Sequence, residues 1–201
     1  RHAWLYRTEG IFNNAFPWTQ FSVWHTFSSD IWYGFHFLLI PLTFFSNLLL
    51  GVKISAVVFS SATLFIFYLI LKRHRIIQPL FWTLFLFVST PDFLFRISMS
   101  RPQTITLLLL IILISLLTKP ASTKKKCLLF IFLIATAISW VHIVLFWAAI
   151  LIAVVIAAVR FLRERVIQWK EFLAIIAGIL TGWLLRPNPF GALKILWVQI
   201  F

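Results

Sequence analysis

The sequence predicts an all-α polytopic membrane protein. We expect a bundle of about six transmembrane helices, preceded by an external aromatic-rich region and a juxtamembrane or re-entrant helix. Three observations lead there. Hydrophobic residues make up 62% of the 201 and charged residues only 11%, against about 45–50% and about 25% in soluble domains. Mean hydropathy is +0.99, so too much apolar surface exists for a water-soluble fold to hide. The basic residues, finally, fall mainly in short runs between apolar segments, as in membrane proteins that follow the positive-inside rule. That placement also explains the net charge of +13 without nucleic acid as a partner.

Residues 1–53 are expected outside the membrane. The stretch up to Ile31 mixes aromatic side chains with Asn, Ser, Thr and Gln, a composition suited to the membrane–water interface. Next comes the apolar segment Trp32–Leu50, expected to lie along or dip into the outer leaflet; a plain further span is the alternative. The bundle proper occupies residues 54–186. Five segments there approach the ~20 apolar residues a span requires: Ile54–Leu71, Pro79–Thr90, Gln103–Thr118, Cys127–Val159 and Glu171–Leu185. The second is short and is expected to run on into PDFLF. The fourth is too long for one span and is divided near Trp140–His142, within SWVHIVLFW. Residues 187–201 begin a further external loop or amphipathic helix. A start at Arg1 and an end inside that stretch are what an internal piece of a longer protein would show. The single cysteine, Cys127, allows no intrachain disulfide.

Three connectors orient the bundle. KRHRIIQ, KPASTKKK and RFLRERVIQWK carry eleven of the eighteen Lys and Arg residues, and placing all three in the cytoplasm satisfies the positive-inside rule. PDFLFRISMSRP, the turn at Trp140–His142 and RPNPFGALK then face the other side. Glu164, Glu171 and His74 accompany basic connectors and read as solvated, paired charges.

Ionisable groups are costly in a membrane protein, so their placement is informative. The external face collects Glu9, Asp30, Asp92, His25, His36, His142, Arg96, Arg101 and Arg186. Carboxylates with imidazoles suit general-base chemistry or a divalent metal, and arginines suit a phosphate. Each residue also has a plainer reading. Asp30 follows two serines and precedes an apolar helix, as a cap would. His36 suits neutral packing in the bundle, and so does His142 beside Trp140. Asp92 follows Pro91 as in a turn, Arg101 precedes a proline that starts a helix, and Arg186 suits an interfacial anchor. No HExxH pattern and no phosphate-binding glycine loop is present.

Taken in order, NNAFPWTQFSVWHTFSSDIWYGFHFLLIPL, SRPQTITLLLLIILISLL and PNPFGAL resemble the external loops and helix starts of the GT-C superfamily of membrane glycosyltransferases. The pattern is most similar to the bacterial members and more distantly to the oligosaccharyltransferase catalytic subunit. The resemblance implies transfer of a hexose or pentose from a polyprenyl-phosphate or polyprenyl-diphosphate donor, at the non-cytoplasmic face of a bacterial plasma membrane. It implies Asp30 as catalytic base or metal ligand, and Arg96, Arg101 and Arg186 as phosphate-binding residues; His36, near the start of the same helix, is a companion catalytic candidate. Asp30 with Asp92 would be the ligands of a divalent metal, Mg or Mn. The family often has an acidic residue soon after its first span; in this chain that place falls at or before RHAWLYRTEG. Two other classes remain open, a secondary transporter or flippase and a non-catalytic membrane scaffold. Dispersal of Asp30, Arg96 and Arg101 would favour the scaffold; convergence on one outward cavity would favour the enzyme.

Overall fold

Proline and asparagine mark several helix starts in an otherwise continuous run of helix formers: Pro79, Pro91, Pro102 and Pro189 each open a helix, and Asn47 precedes another. The computed structural model describes residues 1–13, 16, 21–89, 91–118, 125–165 and 168–200. Most of the connector KPASTKKK, the end of the second apolar segment at Thr90, and part of the aromatic N-terminal region lie outside the described residues. Everything regular among those described is helical. Three short helices come first: α1 (His2–Glu9), α2 (Val23–Phe27) and α3 (Tyr33–Leu39), the last tightening into a 3-10 turn over Ile40–Phe44. The bundle follows as α4 (Leu48–Arg73), α5 (Pro79–Val88), α6 (Pro91–Ile97), α7 (Pro102–Leu117), α8 (Lys125–Val141), α9 (Phe146–Glu164) and α10 (Trp169–Leu184). Helix α11 (Pro189–Ile200) closes the described chain.

Two helical runs are long and apolar enough to cross a membrane, Leu48–Arg73 and Ile143–Glu164. At ~1.5 Å per residue, α4 is about 39 Å long, more than the ~30 Å hydrocarbon core. A third crossing is counted only if α5 and α6 act as one, and they meet at 93°. The expected run-on into PDFLF is therefore a sharp bend, since proline at the first position of α6 disfavours helix for the residue before it. Helices α7, α8 and α10, at 16, 17 and 16 residues, fall short of a full span. A bundle of about six crossings is thus not established by helix length.

The first long helix also begins earlier than expected. Asn47, not the Gly51–Lys53 region, starts it, its side-chain oxygen accepting hydrogen bonds from the N–H groups of Leu49 and Leu50 (2.9 and 3.3 Å). Gly51 sits inside α4, where the Leu42 carbonyl passes too close to admit a Cβ. The division of the fourth segment falls at His142, as expected, between α8 and the 3-10 turn Ile143–Leu145 that leads into α9.

The bundle core is formed by Leu113 and Leu117 of α7, Ile131, Ala135 and Ile138 of α8, Ala149 and Ala153 of α9, and Ile175 and Ile179 of α10. Helices α8 and α10 make the closest contact. A Cβ on Gly178 would stand 2.5 Å from the Phe132 carbonyl oxygen, and one on Gly182 would collide with that of Thr136. Two glycines four residues apart thus let the backbones meet, the packing that replaces hydrophobic drive within lipid.

One end of the bundle is basic. His74 Nε2 lies 3.3 Å from Ser115 Oγ, joining the ends of α4 and α7. Arg160 donates to Gln168, to both carboxylate oxygens of Glu171 (3.0 and 2.8 Å) and to the Leu117 carbonyl, joining α7, α9 and α10. Glu171 is 6% exposed, so the solvated pair expected there is a buried one. It occurs because Arg160 also meets a helix-end carbonyl that α7 leaves unsatisfied. The other end of the bundle, where α8 and α10 finish and α9 and α11 start, carries α1 to α3.

Candidate functional site

Asp30 lies at that second end, in the loop between α2 and α3, and is 3% exposed. Such burial is tolerable for a carboxylate only if its oxygens are met by donors. Trp32 N–H donates to Oδ1 (2.9 Å). The Tyr6 hydroxyl donates to Oδ2 (2.7 Å), and His36 Nδ1 lies 2.5 Å from the same oxygen. The first of these bonds is the cap-like role read from the sequence, made two residues on. The other two make Asp30 the centre of a cluster. Burial by itself would raise the carboxyl; His36, Tyr6 and the Trp32 N–H together outweigh it and hold the group at about 2. The phenol of Tyr6 is pushed well above its ordinary value, first by burial and then by the adjoining carboxylate, so it stays a donor.

An ionised carboxylate only accepts, so His36 carries its proton on Nδ1, and in the neutral ring Nε2 keeps a lone pair. The carboxylate side chain is 1% exposed and the imidazole 14%. His36 is therefore the member of the pair that meets the surroundings. Its ring is set among aromatics, with centroids at 5.3 Å from His2, 6.2 Å from Trp32 and 6.4 Å from Tyr6. Burial pulls His2 down to about 4, against the pull of Asp30 in the other direction.

Arg186 lies two residues past the end of α10, in the turn that leads to α11. It is 4% exposed and donates from Nη1 to the Asp30 carbonyl (2.7 Å) and from Nη2 to the carbonyls of Ser139 and Trp140. Burial lowers it to about 10, while Asp30 and two tyrosines act in the opposite sense; it remains a cation at neutral pH. Its Nε has no partner among the described residues. Asn188 continues the clamp: its amide donates to the carbonyls of Phe27 and Ser28 and its Oδ1 caps Gly191, while Ser29 donates back to its carbonyl. RPNPFG therefore grips the backbone of residues 27–30.

The break at His142 completes the enclosure. The Ile143 N–H reaches the Ile31 carbonyl (3.4 Å), and the His142 ring stacks on Trp32 at 6.3 Å. Burial, assisted by Arg186, takes His142 down to about 4, in keeping with neutral packing. Gly34 on α3 meets Trp140 so closely that a Cβ would lie 2.6 Å from its ring.

The remaining sequence candidates are elsewhere. Arg96 pairs with Asp92 at 3.4 Å on α6, with side chains 62% and 80% exposed. Asp92 is in the first turn of α6 rather than in a free turn. Arg101 precedes Pro102 at the start of α7, half-buried, and its side chain has no hydrogen bond or ion pair among the described residues. Asp30 and Asp92 do not form a metal-binding pair: one is buried beneath three donors and the other exposed beside an arginine. No three His, Cys, Asp or Glu side chains converge to hold an ion among the described residues.

Tyr6, Trp32, Asn188 and Gly182 were not singled out in the sequence. Only two of them left a signal: Asn188 lies between prolines ahead of a helix, and Gly182 follows Gly178 by four residues. No protein-family model, no curated protein and no solved structure matches the chain.

Proposed function

We propose that the chain carries the acceptor-activating site of an integral-membrane glycosyltransferase using a polyprenyl-phosphate or polyprenyl-diphosphate sugar. His36 is the general base, and Asp30 is the residue that positions it. The observation that carries this reading is His36 Nδ1 at 2.5 Å from a buried carboxylate, with the ring partly exposed among aromatic side chains. His36 Nε2 takes the acceptor hydroxyl proton as that oxygen attacks the anomeric carbon. The bond from that carbon to the phosphate oxygen breaks, and the phosphate departs with the electron pair. Asp30 holds the ring in the required tautomer and stabilises the imidazolium. Arg101, whose side chain has no hydrogen bond or ion pair among the described residues, is the candidate left to meet a phosphate, because Arg186 is already engaged by three carbonyls. The basic residues described at the far end, among them Arg73, Lys125, Lys126 and Arg163, support a cytoplasmic location for that end, with the site on the non-cytoplasmic side of a bacterial plasma membrane and about six crossings in all. No step is routed through a metal.

No hydrogen bond or ion pair joins Arg96 or Arg101 to the Asp30 cluster among the described residues, which by itself favours a scaffold. What supports an enzyme is that a scaffold has no need of a semi-exposed imidazole on a buried carboxylate. The transporter reading lacks support of that kind, because the cluster lies at an end of the bundle rather than midway along broken helices. The test is transfer from radiolabelled polyprenyl-phosphate hexoses and pentoses in membranes containing the full-length protein. His36→Gln should abolish transfer, and Arg163→Gln at the basic end should leave it intact. Transfer by His36→Gln at normal expression would remove the base.

A further inference from the structure

Helix α4 carries a lysine in its second turn, at the end of the bundle away from the basic connectors. Lys53 is exposed, and its ammonium makes no hydrogen bond or ion pair among the described residues. It heads a groove of about 490 Å³ between α4 and the α5–α6 bend, walled by Val57, Ser61, Leu64, Phe87 and Ile97. A second hollow of about 220 Å³ adjoins it, again lined by Lys53 and Val57. Ser60 donates to the Ile97 carbonyl, fastening α6 to α4 along the groove. From Lys53 to Leu64 the helix rises about 16 Å, close to the ~15 Å that one leaflet contributes to the hydrocarbon core. A cation at the mouth and an apolar trough one leaflet deep match an amphiphile with an anionic head and a hydrocarbon tail.

We propose that this groove holds an anionic phospholipid of the surrounding bilayer, its phosphate on Lys53 and one acyl chain along α4. No hydrogen bond or ion pair links Lys53 to Asp30 or His36 among the described residues, so the lipid proposed here is a resident one rather than a reacting one. The site requires only that α4 lies in the membrane and is independent of the glycosyltransferase reading.

The full-length protein in phosphatidylcholine nanodiscs doped with phosphatidylglycerol provides the test, with lipids retained after stripping counted by native mass spectrometry. Phosphatidylglycerol should persist on the wild type. Lys53→Gln should weaken retention about fivefold, as expected for one lysine facing an anionic headgroup. Val57→Trp, which fills the trough from an exposed wall position, should remove it, and Lys170→Gln at the opposite end should change nothing. Equal retention by all variants, or phosphatidylcholine held as firmly as phosphatidylglycerol, would overturn the proposal. So would displacement of phosphatidylglycerol by an equimolar isoprenyl phosphate, which would make the groove a substrate site.

Discussion

Replacing Asp30 by asparagine separates the structural role of the carboxylate from its chemical one. The amide is the same size, and its oxygen can still accept from Trp32 N–H. Its NH2 group, however, faces the Tyr6 hydroxyl and His36 Nδ1, both donors in the native cluster. The hydroxyl can rotate to accept. The imidazole can accept only by moving its proton from Nδ1 to Nε2, which removes the lone pair that a base requires. The gap between the ordinary carboxyl value of 3.8 and about 2 sets the folding contribution of the ionised group. At ~1.4 kcal/mol for each factor of ten, it comes to about 2 to 3 kcal/mol. Because the folded value lies below the unfolded one, this stability is present above about pH 4 and is lost as pH falls towards 2. For a chain this long, ~1 kcal/mol moves Tm by about 2–4 °C. Asp30→Asn should therefore lower Tm by roughly 5 to 10 °C at pH 7 in detergent. Sugar transfer at a temperature where the variant is folded should fall by about 10³ to 10⁴, the order seen when a histidine is held in the wrong tautomer. An unchanged Tm would refute the buried network. A lowered Tm with transfer intact would refute the base and leave Asp30 a structural residue.

Two further outcomes follow from the same geometry. Gly182→Leu places a side chain where the Thr136 carbonyl now lies; separation of α8 from α10 should cost more than the about 1–3 kcal/mol usual for overpacking, read as lost monodispersity or a collapsed Tm, and a wild-type melt would contradict the close approach. The half-buried His2 and the buried His142, both pulled from 6.5 to about 4 by desolvation, take up protons more readily when unfolded. Their contribution to stability is full above pH 6.5 and declines as pH falls to 4. Tm should accordingly be level above pH 7 and fall across that window, less steeply in His142→Asn; a flat profile between pH 7 and 4.5 would count against their burial.

What was legible in the sequence was local. Pro102 marked the start of α7, and the polar interruption at His142 divided α8 from α9, because both signals act on the backbone beside them. The boundary between Trp32–Leu50 and Ile54–Leu71 was not legible: Asn47 starts a helix that runs through it, and Gly51 inside that helix admits the Leu42 carbonyl to its side. The Asp30–His36 pair was named as two residues but not as a unit, since six positions correspond to no helical face; the link exists because Asp30 lies ahead of the helix and points along it. Tyr6 and Asn188 are 24 and 161 residues from the groups they hold. Nothing local reports such contacts.

Arg186 shows how the site depends on the bundle. Its sequence context allowed an interfacial anchor or a phosphate clamp, and either would leave the guanidinium near the surface. Gly178 and Gly182, four residues apart, share the stripe of α10 that lies on α8. The two glycines bring the backbones together, and the arginine, two residues past the end of α10, reaches the gap at the end of α8. There the Ser139 and Trp140 carbonyls are left without helical partners, and a cation at a helix C-terminus is stabilised by the dipole as well as by the hydrogen bonds. The third carbonyl in reach is that of Asp30. The same positive charge thus satisfies the end of a bundle helix and fixes the loop whose carboxylate holds His36. A slip of α10 along α8 by one turn, ~5.4 Å, would carry the guanidinium away from all three oxygens. The alignment of the candidate base is therefore set by how closely two helices approach within the bundle.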